Sequence, residues 1–245
     1  MRLHQNHAGV QEAACGTLRY MADSSLNQIE IAANGGLEAI IETMNVHLDH
    51  AGVQEAACWA LKYLALNDEN ETIIAKLGGL QAILRAMKNH ANYAGVQEQA
   101  CWALSNLAVN ENNQRTLYQL GGVNLIIEAM VHHSEHPGVQ AAACWALKFL
   151  ASEVYPSPQL QQQQPQQPQQ RQQQQEKRQQ QQQQPIEAQH PIIQLGGLDA
   201  IIKAMTFHLS HAAVQEAAAW AIQCLAVSPH GSTAEMIARA GGIED

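Results

Sequence analysis

The stretch HAGVQEAACWALKYLA, residues His50–Ala65, occurs in five versions along this 245-residue chain. The other versions are HAGVQEAACGTLRYMA from His7, YAGVQEQACWALSNLA from Tyr93, HPGVQAAACWALKFLA from His136 and HAAVQEAAAWAIQCLA from His211. The valines Val10, Val53, Val96 and Val139 follow one another at intervals of 43 residues, and Val214 comes one interval plus 32 residues later. A fixed period of this length is typical of a solenoid, in which each unit packs mainly against its neighbours.

A second phrase, of the form LGGLQAILRAM, repeats in step with the first at the glycine pairs 35–36, 78–79, 121–122 and 196–197, and a further pair lies at 241–242. One full unit runs from Asn67 to Val109 and predicts three helices. A short first helix begins after a capping Asn and ends at the glycine pair. The second helix has apolar residues at Leu80, Ile83, Leu84 and Met87, and the repeated phrase at Val53 is the third.

On a helical wheel, the apolar side chains of the third helix form one stripe, which we expect to face the core: Val53, Ala57, Ala60, Leu61 and Leu64. Glu55, Trp59 and Tyr63 fall on almost the opposite side and form a ridge, because residues four apart stack along a helix. Trp recurs at Trp59, Trp102, Trp145 and Trp220. Packing within one unit does not explain these indoles, so they either pack between units or line a surface.

Three helices in about 43 residues, with GGLQAIL followed by VQEAACWALKYLA, resemble armadillo repeats. The resemblance implies an all-α fold, a right-handed α-solenoid whose third helices line a concave groove that binds extended peptides. It also implies a third helix alone at the start, four complete units, and a first helix at the end. We expect repeats over residues 1–151 and 192–245, separated by an insertion over residues 152–191.

We predict that the ridge of the third helices binds a protein or peptide partner as a non-catalytic scaffold. The candidate peptide-binding residues are Glu55, Trp59, Tyr63, Glu98, Trp102, Asn106, Trp145, Phe149, Glu216 and Trp220. Indoles can receive the stems of Lys or Arg and carboxylates their charged heads, so basic residues in the ligand are compatible with this ridge.

The ridge is similar to that of importin alpha, in which an Asn follows each Trp by four residues and holds the peptide backbone. Here Trp102–Asn106 matches that pair, whereas Tyr63, Phe149 and Cys224 replace the Asn and Gly16 replaces the Trp. A nuclear-import adaptor is therefore the less favoured alternative. A second alternative is a structural fragment of a larger multidomain signalling protein.

Composition argues against several other functions. The net charge of −9 disfavours nucleic acid, which needs a basic patch, and no apolar run is long enough to cross a membrane. We expect a cytoplasmic or nuclear protein that uses no cofactor. No phosphate-binding glycine loop or catalytic constellation is present in the sequence.

Histidines three apart, such as His47 and His50, supply too few ligands for structural zinc, and we expect them at helix ends instead. Cys15, Cys58, Cys101 and Cys144 recur in step with the repeat, and equivalent positions in stacked helices are about 10 Å apart. Since a disulfide needs Cα atoms within about 7 Å, we expect small, semi-buried free thiols. We have no explanation for Cys224.

The insertion contains 19 glutamines in the 26 residues from Gln159 to Gln184. Such a segment has too little apolar surface to offset the entropy of ordering, so we expect it to be disordered. It replaces a loop between a third and a first helix and removes most of that first helix. Either it is an association site, or it is a repeat expansion in a permissive loop.

Overall fold

The computed structural model describes residues 1–152 and 190–227 of the chain. Within these residues the secondary structure is helical, with a short 3₁₀ helix at Arg2–His4 and thirteen α-helices. The α-helices are α1 (Ala8–Met21), α2 (Ser25–Ala33), α3 (Gly36–Val46), α4 (Ala51–Leu64), α5 (Asp68–Lys76), α6 (Gly79–Asn89), α7 (Ala94–Leu107), α8 (Glu111–Gln119), α9 (Gly122–His132), α10 (Pro137–Ala151), α11 (Pro191–Gln194), α12 (Gly197–Phe207) and α13 (Ala212–Val227). This order confirms the predicted α-solenoid: one third helix, α1, and then four units of three helices.

The predicted boundaries of the unit at Asn67–Val109 are confirmed. Asn67 caps α5, because its Oδ1 accepts hydrogen bonds from the backbone N–H groups of Glu69 and Asn70, both at 3.1 Å. Gly78 adopts φ +82°, a left-handed conformation that L side chains rarely take, and so turns the chain from α5 into α6. At Gly79 a Cβ would collide with the side chain of Ile74, which explains why both residues of the pair are glycine.

The third helices stack on one another in the order α1, α4, α7, α10 and α13, and each of the last four also packs on the second helix of its own unit. The predicted apolar stripe of α4 is fully buried, from Val53 through Ala57, Ala60 and Leu61 to Leu64. Buried residues of all the units join into one continuous core. The solenoid is therefore held together by an elongated core rather than by separate cores.

A buried or partly buried glutamine in each third helix bonds the end of the helix that precedes it. In the second unit, Gln97 Nε2 donates to the carbonyls of Met87 and His90, both at 2.9 Å, and so satisfies the free C-terminal carbonyls of α6. Gln11, Gln54, Gln140 and Gln215 make the equivalent bonds. This role was not predicted, although the Gln stands in all five versions of the phrase.

The histidine pairs lie at helix ends, as predicted. His47 follows the last residue of α3, and its Nε2 hydrogen-bonds the carbonyl of Gln5 in the preceding unit at 2.8 Å. His50 caps α4, since its Nδ1 accepts from the N–H of Val53 at 3.2 Å. Across residues 1–152 and 190–227, no three His, Cys, Asp or Glu side chains are grouped so that they could hold a metal ion.

All five cysteines are free thiols, and the four that follow the repeat are completely buried rather than semi-buried. Burial raises the pKa of Cys15 and of Cys144 to about 12, and it also raises the pKa of Cys58 and Cys101. At neutral pH these thiols are therefore protonated and unreactive.

The predicted insertion begins at a helix cap and ends at the first residue of a helix. Ser152 is the C-cap of α10, and Pro191 is the first residue of α11. The helix α11 has four residues, whereas α2, α5 and α8 each have nine. Residues 153–189 and the predicted last helix beyond residue 227 lie outside the described residues, so the disorder of the insertion and the proposed division of the chain stay predictions. No helix in the described part is long and apolar enough to cross a membrane.

Candidate functional site

The predicted ridge lies along the stacked third helices, with its residues partly accessible to solvent. The indoles of Trp59, Trp102 and Trp145 are half-buried, and that of Trp220 is 44% exposed. Trp102 and Trp145 also pack against the edge of the core. The rings therefore contribute to packing between units and still present surface to a ligand.

Each of three indoles is covered by a cation from the unit before it. The guanidinium of Arg19 lies 3.5 Å from the ring centre of Trp59, and Lys62 Nζ lies 4.8 Å from that of Trp102. Lys148 Nζ lies 5.1 Å from the ring centre of Trp220 and 4.4 Å from that of Trp145, which is in its own helix. Such contacts stabilise by about 0.5–2 kcal/mol each. The helical wheel of a single unit does not reveal that these cations occupy the indole faces of the following unit.

The glutamates of the ridge pack against a glycine in the first turn of the next third helix. A Cβ at Gly95 would lie 2.5 Å from the Glu55 carboxylate, and a Cβ at Gly52 would lie 2.7 Å from that of Glu12. Glu98 meets Gly138 in the same way. The N-terminal turn of a helix carries partial positive charge, so each carboxylate stabilises the helix that it meets.

One junction supports the pairing of Glu with Gly. Where α10 has Ala141 in place of the glutamate, α13 has Ala213 in place of the glycine. The glycine is therefore absent at the described junction that lacks the carboxylate.

The glutamates also repel one another. Burial raises the pKa of Glu55 above its ordinary value, and the carboxylates of Glu98 and Glu12 raise it further. Two of the glutamates have a histidine nearby, since His50 Nδ1 lies 4.0 Å from Glu12 and His136 Nδ1 lies 3.8 Å from Glu98. Like charges at successive units thus leave the row of glutamates electrostatically unfavourable, and contact with the helix ends offsets this.

A family model described as Armadillo/beta-catenin-like repeat matches residues 67–109, which is one unit with its helices α5, α6 and α7. The units on either side have helices of the same lengths in the same order. The chain is an armadillo-repeat protein. No curated protein matches the chain. Armadillo repeats are generally protein-interaction scaffolds and are typically not enzymes.

In this armadillo array, the Trp102–Asn106 pair is part of the packing. Asn106 Nδ2 donates to the carbonyl of Lys62 in the preceding third helix at 2.8 Å, so one amide hydrogen already serves the fold. The equivalent positions hold aromatic rings in the neighbouring units. Tyr63 lies beside Lys62, with 5.5 Å from Nζ to the ring centre, and Phe149 stacks on Trp145 with ring centres 6.4 Å apart.

The ridge opens into a groove of about 510 Å³ between α1 and α4, where Gly16 stands in place of the tryptophan. A Cβ at Gly16 would meet no atom within 4 Å. Glu12, Glu55, Arg19 and Trp59 line the groove. Its size is in the range of binding clefts for small ligands or single side chains.

The last candidates, Glu216 and Trp220, lie on α13 at the end of the described array. No further third helix follows α13 within the part of the chain that the structure describes. Their surroundings in the structure are therefore those of the preceding unit, from which Lys148 reaches Trp220.

Proposed function

We propose that the chain is a non-catalytic scaffold that binds an extended peptide segment along the third-helix ridge. The observation that carries this proposal is the row of partly exposed indoles at the same position of four successive units. Half-buried Trp residues flanked by charged groups are the kind of side chain that dominates binding energy at protein interfaces. Basic side chains of the segment would lie near the glutamates Glu12, Glu55 and Glu98.

A nuclear-import adaptor is less well supported. Its mode of binding needs an Asn ladder along the groove, and this chain has one such residue, Asn106, whose amide already bonds Lys62. The aromatic side chains of Tyr63 and Phe149 cannot hold a peptide backbone with two hydrogen bonds as an amide can.

Affinity capture with the full chain as bait, followed by mass spectrometry, tests the proposed groove. The bait variant combines Trp102→Ala with Trp145→Ala. A matched control combines Tyr93→Ala with Phe207→Ala, which removes two exposed aromatic rings away from the ridge. We expect the first variant to lose partners that the wild type and the control both retain, with helical circular dichroism unchanged. Retention of every partner by a folded Trp variant would refute a role for the ridge.

A further inference from the structure

The cations of the ridge occupy one register position of the repeat. Arg19, Lys62 and Lys148 stand three residues after the tryptophan position of their own units, in the last turns of α1, α4 and α10. Ser105 and Gln223 fill the same position in α7 and α13. Three of five units thus place a cation at one edge of the ridge, each on the indole of the following unit.

These three cations have no carboxylate partner among the residues that the structure describes. The ion pairs within 4.0 Å in those residues join other groups, namely His50 with Glu12, Arg115 with Glu111, and His136 with Glu98. Arg19 and Lys62 each have a glutamate two helical turns away, seven residues earlier or about 10 Å along the helix, whereas Ala141 stands at that distance before Lys148. Both rows of charge therefore run along the stack, on opposite edges.

The side chain of Lys62 is partly buried. Burial lowers the pKa of its ammonium group, an effect that Glu98 opposes and Arg19 adds to. A partly dehydrated ammonium group that is held against an indole and has no counter-ion gains more from an incoming anion than a fully hydrated one does. The ring contacts also hold the side chain in place, which reduces the entropy lost on binding.

We propose that Arg19, Lys62 and Lys148 bind carboxylate side chains of the segment in the groove, so that the ligand contains acidic residues. This inference rests on the peptide-binding function proposed above. The indole faces are already covered by the chain's own cations. A lysine or arginine of the ligand would have to displace them, whereas an acidic side chain would add to them.

The distance between successive units sets the expected spacing of the acidic residues along the ligand. Packed helices are about 8–10 Å apart, and an extended chain advances about 3.3 Å per residue. Arg19 and Lys62 lie on adjacent third helices, so their partners would be about three residues apart in the ligand. Lys62 and Lys148 lie two units apart, which corresponds to about six residues.

Fluorescence anisotropy with synthetic peptides tests this recognition on the full chain. The probe is a fluorescein-labelled peptide of about fifteen residues with Glu at every third position among Ser and Gly, and a second probe has Lys at those positions. We expect tighter binding of the Glu peptide, weakening with salt. The variant Arg19→Met, Lys62→Met, Lys148→Met keeps apolar stems on the indoles and should bind the Glu peptide roughly tenfold or more weakly.

A control variant combines Lys76→Met, Arg85→Met and Lys88→Met, which removes the same charge from exposed positions on α5 and α6. Equal weakening in both triple variants would mean that net charge alone acts, and the inference would be wrong. Preference for the Lys peptide would also overturn it. If the ridge variant loses its helical circular dichroism, the single change Lys62→Glu decides: it should weaken the Glu peptide and strengthen the Lys peptide.

The two proposals fail in different ways. If the Trp102→Ala, Trp145→Ala bait loses its partners while the Glu peptide binds both triple variants alike, the groove stands and acid recognition is refuted. If that bait keeps every partner but the Glu peptide needs the three cations, recognition of acidic residues by these cations stands and the proposed role of the indoles is refuted.

Discussion

Glu71 occupies a position at which its neighbours in the stack carry an amide. In α2 and α8 the equivalent residues are Gln28 and Gln114, and their Nε2 groups donate to the carbonyls of Ala22 at 3.0 Å and Ala108 at 2.8 Å. The Glu71 side chain is 6% exposed. An ionised carboxylate has no hydrogen to donate to the corresponding carbonyl, whereas a protonated carboxyl has one.

The buried position makes the stability of the fold depend on pH. Burial, with a smaller contribution from Asp68, raises the pKa of Glu71 from 4.5 to about 7. The folded state therefore favours the neutral acid. Its stabilising contribution is fully present below pH 4.5 and is lost as the pH rises through 7. At about 1.4 kcal/mol per pKa unit the loss is at most about 3 kcal/mol, and solvent access to the helix surface reduces it to about 1–3 kcal/mol.

We therefore expect Glu71→Gln to raise the free energy of unfolding by about 1–3 kcal/mol at about pH 8 and to have little effect near about pH 5. Urea denaturation followed by circular dichroism across this pH range measures the difference. Glu69→Gln is the control, because it removes the same charge from an exposed position of the same helix. A pH profile of Glu71→Gln that runs parallel to the wild-type profile would show that this carboxyl does not titrate as argued.

The remaining predictions concern the contacts between and within units. Gly95→Ala should destabilise the wild type by about 1 kcal/mol because the Glu55 carboxylate must leave the first turn of α7, and it should become neutral or stabilising once Glu55→Ala is present. A double-mutant cycle in urea should thus give a coupling of about 1 kcal/mol, and a value near zero would contradict the pairing. Gln97→Ala should cost about 2 kcal/mol, since the carbonyls at the end of α6 lose their donor, whereas the exposed Gln119→Ala should cost little. Ellman's reagent should label Cys224 in the folded protein and the four buried cysteines only after unfolding; rapid reaction of all five thiols would rule out the packing described.

Periodicity explains why the fold was predictable from the sequence. Each helix boundary is marked several times, by a capping residue, by a glycine pair and by the same apolar spacing, so an ambiguity in one unit is resolved by the next. The burial of Val53, Ala57 and Leu61 follows from a helical wheel alone. The length of α11 was also predictable, because the glutamine-rich segment replaces the residues that form the start of a first helix in the other units.

The contacts between units were harder to predict, because they join residues about 40 positions apart whose relative placement depends on the stacking geometry. The sequence contains Lys62 and Trp102 at their register positions, but the wheel of a single helix cannot show that the ammonium group lies over the next indole. The hydrogen bond from Asn106 to Lys62 was hidden for the same reason. The resemblance to an Asn that binds peptide suggested a free amide, whereas the packing uses it.

Departures from the repeat, rather than the repeat itself, distinguish packing from binding along the ridge. A position that packs must change together with its contact in the next unit, as Ala141 and Ala213 do together at the junction that lacks the Glu–Gly pair. A position that binds a ligand can change alone. Gly16 stands at a tryptophan position and leaves a groove there. Ser105 stands at a cation position, yet the tryptophan of the next unit, Trp145, is present and is covered by Lys148 from its own helix. By this criterion the glutamates belong mainly to the fold. The indoles and cations, which vary independently from unit to unit, are the side chains along which a ligand would be selected.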